Sequence, residues 1–392
     1  MVVANTFATD TRVRREAKAL ANEGFDVQVL CWDRLGRQPQ TETIDECLVH
    51  NVKLGKTTVL ASARLYYVVA ALLFQAIASL YAVRHARRAH SFILHAHDFN
   101  VLVGCTIAKK LLKDRVRLVY DCHELTPGVY QEWYGSLVSK IVGCLELAML
   151  SCVDGILTAN DAILSYLKHQ PSIPATAIYT CPSINEVQCA LALEATAAKR
   201  KLGMNGIFVV LFSGRMRREY DLATILQTAR DLRRNGVTDI RFVFTGPPEA
   251  TEVLTSAVAK EGLQGLFDLR GWVPDEELLT YYLASDLCYV VTQNISPNTR
   301  ILTPIKLFES MACGVPVIVR DHTLAARIVQ EWQCGIVLDA TCTSFLPELM
   351  TIHSNSEKRR ALGEAGRKAF HLVYNWDQMQ VRLLGLYAML QI

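Results

Sequence analysis

Lys306 and Glu309 stand three residues apart in TPIKLFESMACGVPVIV, 303–319. A helix from Thr303 to Ala312 puts both on one face and leaves Leu307, Phe308 and Met311 for packing. Thr303-Pro304 opens such a helix with proline in the first turn, where its missing N–H costs nothing, and Gly314 ends it. The start of a helix presents unpaired N–H groups and a partial positive charge, which suit a phosphate. A lysine there adds attraction, and a carboxylate can grip paired ribose hydroxyls. The plainer alternative is a capped surface helix with a solvated Lys–Glu pair.

A second group follows an apolar run at 207–213, in SGRMRREYDLATIL. Gly214 permits close backbone approach, and Arg215, Arg217 and Arg218 precede a helix starting at about Tyr220. The planar fork of arginine suits a diphosphate held while charge accumulates on it. Three arginines in a loop can equally form a solvated face. Earlier in the chain, HAHDF (95–99) and YDCHE (120–124) place polar groups at strand ends. His95 and His97 lack a third and fourth ligand at metal-site spacing. His123 and Glu124 are better placed to meet a polar substrate, with a buried, hydrogen-bonded histidine as the alternative. Asp10 and Arg12 begin the first helix, facing a ligand or forming a local Asp–Arg cap.

These groups need elements to position them. Strand patterns fall at 2–5, 27–31, 48–53, 92–96, 116–120, 155–159 and 176–180, and then at 207–213, 239–245, 266–270, 286–291, 315–319 and 335–338. Helical patterns separate them, the signature of parallel sheets covered on both faces. Two sets of roughly six predict two doubly wound α/β domains joined near 181–200, with ligands beyond the carboxyl ends of the strands. Thr9 or Asp10 caps a first helix that stops at Gly24, and a last helix covers 376–391.

Composition narrows the class. Lys plus Arg is 41 against 38 Asp plus Glu, a balance that offers a nucleic acid no concentrated basic surface. The 12 cysteines form no Cys-x-x-Cys pair, which argues against zinc ribbons and thioredoxin-like sites. A chain of this length needs no disulfide staples, so a reducing, cytoplasmic setting is expected. The first residues, MVVANTFATDTRVRRE, lack the apolar core of a signal peptide.

The stretch 65–83, LYYVVAALLFQAIASLYAV, carries no charge and is followed by Arg84, Arg87 and Arg88. Spanning a bilayer would place the strands at 27–31 and 92–96 on opposite sides and split one sheet. Two readings remain for 65–88: a helix with one face on the sheet and the other in the membrane interface beside anionic headgroups, or a fully buried core helix.

Taken in order, these motifs resemble retaining glycosyltransferases of family 4 with the GT-B fold. ATDTRVRREAKALANEGFDVQVL is similar to the family's opening helix and second strand, LVYDCHEL to its Tyr-Asp-x-His-Glu strand end, and VDGILTANDAILSYL to its domain-closing strand and helix. SGRMRRE resembles the phosphate loop, FVFTGPPE a strand ending in glycine, and LRGWVPDEELLTYYLASDLCYVV the stretch before the donor loop. TPIKLFESMACGVPVIV matches the donor signature most closely, and NWDQMQVRLLGLYAML resembles a last helix that crosses back to the first domain. The resemblance implies a first domain at 1–183, completed by 376–392, and a nucleotide-sugar domain at 184–375.

Carried over by position, Glu309 binds the donor ribose, Lys306 and Arg215 the diphosphate, and Arg217 or Arg218 adds a second basic partner, with Gly214 and Thr303 beside them. His123 contacts the donor sugar near the reacting carbon. Asp10, Arg12, His97, Asp98 and Glu124 face the acceptor. The implied reaction is sugar transfer, with retention, from a UDP- or GDP-linked donor to an acceptor hydroxyl. The apolar stretch at 65–88 adds the expectation of a lipid-linked or glycan acceptor, in polysaccharide or glycolipid assembly at the cytoplasmic face of a membrane. Cationic side chains neutralise the diphosphate, so neither a metal nor a separate cofactor is expected. Ile301 stands where many members carry a first glutamate. Two rival readings accompany it: a non-catalytic subunit positioning a membrane partner, and an epimerase or phosphorylase on the same scaffold.

Overall fold

The computed structural model describes residues 1–54, 63–89, 91–168, 172–191, 193–217, 219–247, 252–293 and 295–390. Arg218 lies outside them. The chain divides into two compact units, Met1–Thr180 with Met379–Ile392, and Cys181–Gln378.

In the first unit, eight strands are described: β1 Val2–Val3, β2 Gln28–Trp32, β3 Thr41–Ile44, β4 Cys47–Val52, β5 Phe92–His97, β6 Val116–Cys122, β7 Gly155–Thr158 and β8 Ala175–Ala177. They form one sheet in the order β3-β4-β2-β1-β5-β6-β7-β8. Pairing is parallel except for β3 on β4. The sequence reading missed β3. It is a short polar edge strand, and it turns into β4 through Asp45 and Glu46, both at positive φ (49° and 64°). That is the geometry of a tight hairpin turn, in residues that seldom adopt it. The helix Thr11–Asn22 is capped by Asp10, whose carboxylate accepts the Val13 N–H at 3.2 Å. Asp10 therefore caps without Arg12, and the local Asp–Arg cap does not form.

The stretch 65–83 is helical within Ala63–His85. From Val69 onward its side chains divide into two apolar faces. Ala70, Phe74, Ala78, Ala82 and Ala86 are buried at four-residue spacing, while Leu72, Leu73 and Leu80 are exposed. The fully buried reading is thus incorrect. Among the described residues no helix is long and apolar enough to cross a membrane.

The second unit has β9 Phe208–Ser213, β10 Ile240–Thr245, β11 Phe267–Gly271, β12 Leu287–Tyr289, β13 Val317–Arg320 and β14 Gly335–Leu338. Their order is β11-β10-β9-β12-β13-β14, all parallel. Phe212, Phe242, Phe244, Tyr289, Ile318 and Phe345 lie in its core. The strand order reverses between β9 and β12, and in the first unit between β1 and β5. Ligand crevices open at such switch points, beyond the carboxyl ends of the strands.

Two helix starts differ from expectation. The helix with Lys306 runs Ile305–Cys313, with extended Pro304 (ψ 142°) as its cap instead of a first-turn residue. The one after β9 begins at Leu222, capped by Asp221, rather than near Tyr220. Gly314, left-handed at φ 69°, ends the former as expected.

Candidate active site

The carboxyl end of β9 organises the second unit's polar groups. Gly214 follows the strand at φ 87°, and Gly246, at the end of β10, lies so close that a Cβ there would sit 2.4 Å from the Gly214 carbonyl oxygen. Only glycine fits such an approach. The loop that starts at Gly214 ends at Tyr220, which bridges to Thr292.

Lys306 joins the two ends of this loop. Its Nζ lies 3.9 Å from the ring centre of Phe212, in β9, and 3.8 Å from that of Tyr220. Both are cation–π contacts. The side chain is 5% exposed, and burial pulls its pKa down to about 7, against the weaker pull of Glu309 and Glu219. Glu309 reaches the same strand end through another ring. Tyr282 donates to Glu309 Oε2 at 2.7 Å, and its hydroxyl lies 2.5 Å from Ser213 Oγ. Lys306 and Glu309 are thus not a solvated pair: one contacts Phe212, and the other is wired to Ser213. Arg215 and Arg217 are exposed on the loop, Arg217 at 3.8 Å from Glu219. Thr303 is half-buried just before the helix, whose first-turn amides precede the Lys306 side chain.

The first unit holds a buried polar network where β5 and β6 end. Parallel pairing puts His97 opposite Asp121. Asp121 accepts from Arg12 at both oxygens, Nη2 to Oδ1 at 2.6 Å and Nε to Oδ2 at 3.0 Å. Its Oδ2 is also 3.2 Å from His97 Nδ1 and 2.9 Å from His123 Nε2. Arg12 additionally donates to the Ile178 carbonyl at 2.5 Å. Arg12 and His97, expected to face an acceptor, are instead buried, 6% and 0% exposed.

Glu16 lies 3.1 Å from Arg12 Nε, yet burial and the charge of Asp121 raise its pKa well above the usual carboxylate range. Burial also works against ionised Asp121, but the guanidinium and His123 overcome it and hold its carboxyl well below that range. Of the two carboxyls, the site favours charge on Asp121 and disfavours it on Glu16. Glu16, His95, His97 and Asp121 offer donor atoms within 4.8 Å of one another. The Arg12 guanidinium already supplies positive charge there.

Asp98 is the strained member of the group. It sits at φ 67°, ψ 162°, a region essentially reserved for glycine. Its Oδ1 accepts the His123 backbone N–H at 2.9 Å, and its Oδ2 is 3.5 Å from His123 Nδ1. Each ring nitrogen of His123 thus faces a carboxylate. Burial opposes its charge, but Asp98 and Asp121 outweigh that and raise its pKa to about 10. Glu124 is exposed one residue further on.

Sequence reasoning passed over Glu16, Asp121, Phe212, Tyr220 and Tyr282. Glu16 was signalled by its four-residue spacing from Arg12, and Asp121 stood within the quoted YDCHE. The aromatic partners of Lys306 and Glu309 carried no local signal.

Two family models match successive parts of the chain, "Glycosyl transferase 4-like domain" over 8–181 and "Glycosyl transferases group 1" over 199–369. Spore coat protein SA of Bacillus subtilis (strain 168) is 23% identical over 198 residues, covering 48% of this chain and 51% of that protein. The amylovoran biosynthesis glycosyltransferase AmsK of Erwinia amylovora is 22% identical over 153 residues, covering 38% and 37%. The chain thus spans about half or less of these relatives. Sucrose-phosphate synthase from Thermosynechococcus elongatus superposes with a TM-score of 0.77 at 17% identity, over 99% of this chain and 98% of that one. Anabaena HepE, in complex with UDP-glucose, gives 0.66 at 13% identity, over 99% of each chain. At such identities these structures establish the shared fold.

Proposed function

We propose that this chain, which is a glycosyltransferase of the GT-B fold, is a retaining family 4 enzyme that moves a hexose from a UDP- or GDP-linked donor to an acceptor hydroxyl. The acceptor is a lipid-linked or glycan hydroxyl in polysaccharide or glycolipid assembly at a membrane surface. One observation carries the reading: a desolvated lysine and a tethered glutamate converge on Phe212–Ser213, where the sheet's strand order reverses. HepE, a structural neighbour, holds UDP-glucose on the same fold.

The chemical task is to stabilise an oxocarbenium-like centre together with a departing diphosphate. Lys306 and the amides that open Ile305–Cys313, already held in place before the reaction begins, meet the growing phosphate charge, and Arg215 and Arg217 join them from the loop. Thr303 borders the phosphates, and Glu309 takes the ribose hydroxyls. The departing phosphate helps remove the acceptor proton, and these cations do the neutralising without a metal or separate cofactor. In the first unit, Asp98, Glu124 and Asp10 border the acceptor. His123, held charged between Asp98 and Asp121, serves the sugar as a fixed cationic group rather than as a base, and Arg12 and His97 act indirectly by fixing Asp121.

Thermal melts with UDP, GDP and ADP test the donor half. A ligand at a hundredfold excess over its dissociation constant stabilises by about 2.7 kcal/mol, a shift expected for UDP or GDP and much reduced at the same concentration in Lys306→Met. No shift with any nucleoside diphosphate refutes the reading. The anomeric configuration of the product, by NMR, tests retention.

A further inference from the structure

Three helices of the first unit share one face of its sheet. Ala63–His85 links β4 to β5, Phe99–Leu112 links β5 to β6, and Ser136–Met149 lies between β6 and β7. All three connections advance in the same direction along the sheet order. Right-handed crossovers therefore place them on one side, opposite Thr11–Asn22, which runs the other way from β1 to β2. Gly104 locks the first pair together: a Cβ there would sit 2.3 Å from the Gln75 carbonyl oxygen, and its N–H donates to Gln75 Oε1 at 2.6 Å.

Each helix turns large apolar side chains outward at helical spacing. Leu72 and Leu80 project from the first, Ile107 and Leu111 from the second, Leu137 and Ile141 from the third. Leu72, Leu111 and Leu137 are 65%, 67% and 72% exposed. Single exposed leucines need no explanation, but stripes on three adjoining helices do. Their charge is one-sided. The only carboxylate in the three helices, Glu146, is completely buried, whereas Arg84, Lys110 and Lys140 are exposed on them, and just beyond their ends Arg87, Arg88, Lys113 and Arg115 outnumber the exposed Asp114.

We propose that this three-helix face is a docking surface for an anionic lipid bilayer, its leucine and isoleucine stripes entering the interface and its lysines and arginines meeting the headgroups. Apolar area together with basic charge is what interfacial adsorption requires. A second copy of the chain fits poorly, because a twofold interface would set the same cations against one another. The surface deepens the transferase reading, since a membrane-borne acceptor calls for an enzyme at the same surface. The docking itself stands on the helices alone.

The test is flotation of the full chain with phosphatidylcholine vesicles, with and without phosphatidylglycerol. Expected is flotation with the anionic vesicles only, reversed by salt, and weakened about tenfold or more in Leu111→Glu and in Leu137→Glu. Both substitutions lie on exposed positions, so UDP binding stays unchanged in both and reports an intact fold. Wild-type protein that stays unbound at low salt overturns the proposal. So do variants that float like wild type, or a dimer that Leu111→Glu splits into monomers. Flotation of a chain that binds no nucleotide supports docking and defeats the transferase reading instead.

Discussion

Arg12 and Asp121, 109 residues apart, meet as a two-pronged ion pair, with guanidinium-to-carboxylate distances of 2.6 and 3.0 Å. The pair joins the first helix to the end of β6, and the same carboxylate holds His97 and His123. Removing the arginine leaves a buried carboxylate uncompensated. Arg12→Met is therefore expected to destabilise the fold by about 3–5 kcal/mol, measured by urea unfolding. Arg12→Lys, which keeps a charge but not the fork, should fall between.

His123 sets a pH dependence. Its pKa is raised to about 10 by Asp98 and Asp121. A group raised on folding stabilises fully below its unfolded pKa, about 6.5, and loses that contribution as pH rises through the folded value. The stability advantage of wild type over His123→Gln should shrink steadily between these two pH values. Thermal melts across that range measure it. Ring NMR signals that titrate near neutrality would contradict the assignment.

The strain at Asp98 can be isolated by comparing two variants that both lose the carboxylate. Glycine accepts φ 67°, ψ 162° without penalty, and alanine does not. Asp98→Gly should exceed Asp98→Ala in stability by about 1–3 kcal/mol. Both should lose sugar transfer, a combination that marks strain kept for function.

Lys306 predicts opposing effects on stability and ligand binding. Its pKa is depressed to about 7, so stability should rise with pH from there toward the ordinary lysine value of about 10.4. Lys306→Met should remove this slope and stabilise the free protein below neutrality. UDP favours the charged form, so its affinity for wild type should fall as pH climbs above neutral. Losing a hydrogen bond to a charged group costs about 1.5–3 kcal/mol. Calorimetry should therefore show UDP binding in Lys306→Met weaker by about tenfold to a hundredfold, and flat with pH.

Much was legible along the chain because it is local. The short apolar runs that mark β2, β5, β6, β9 and β10 are buried almost throughout, the continuous pattern of parallel strands covered on both faces, and Gly314 needs only its own missing Cβ to end a helix. The strand β3 escaped notice because TETI is polar and lies at an edge, where no apolar alternation is required. The start of Ile305–Cys313 slipped by two residues because proline serves as cap or first-turn residue with similar φ, and only ψ separates the two.

Taken alone, the sequence determined the doubly wound architecture, the strand ends where polar groups gather, and the choice of Lys306, Glu309 and His123 as residues to watch. Propensity and period act over a few neighbours, and that is enough for those decisions. The tertiary structure decided what each residue meets: Arg12 turns inward to Asp121, and Lys306 lies between Phe212 and Tyr220. Charge state follows from burial and from partners distant in the chain. An imidazole pKa raised by two carboxylates, a lysine pKa lowered by burial and a glutamate pKa raised by burial are therefore properties of the packed molecule.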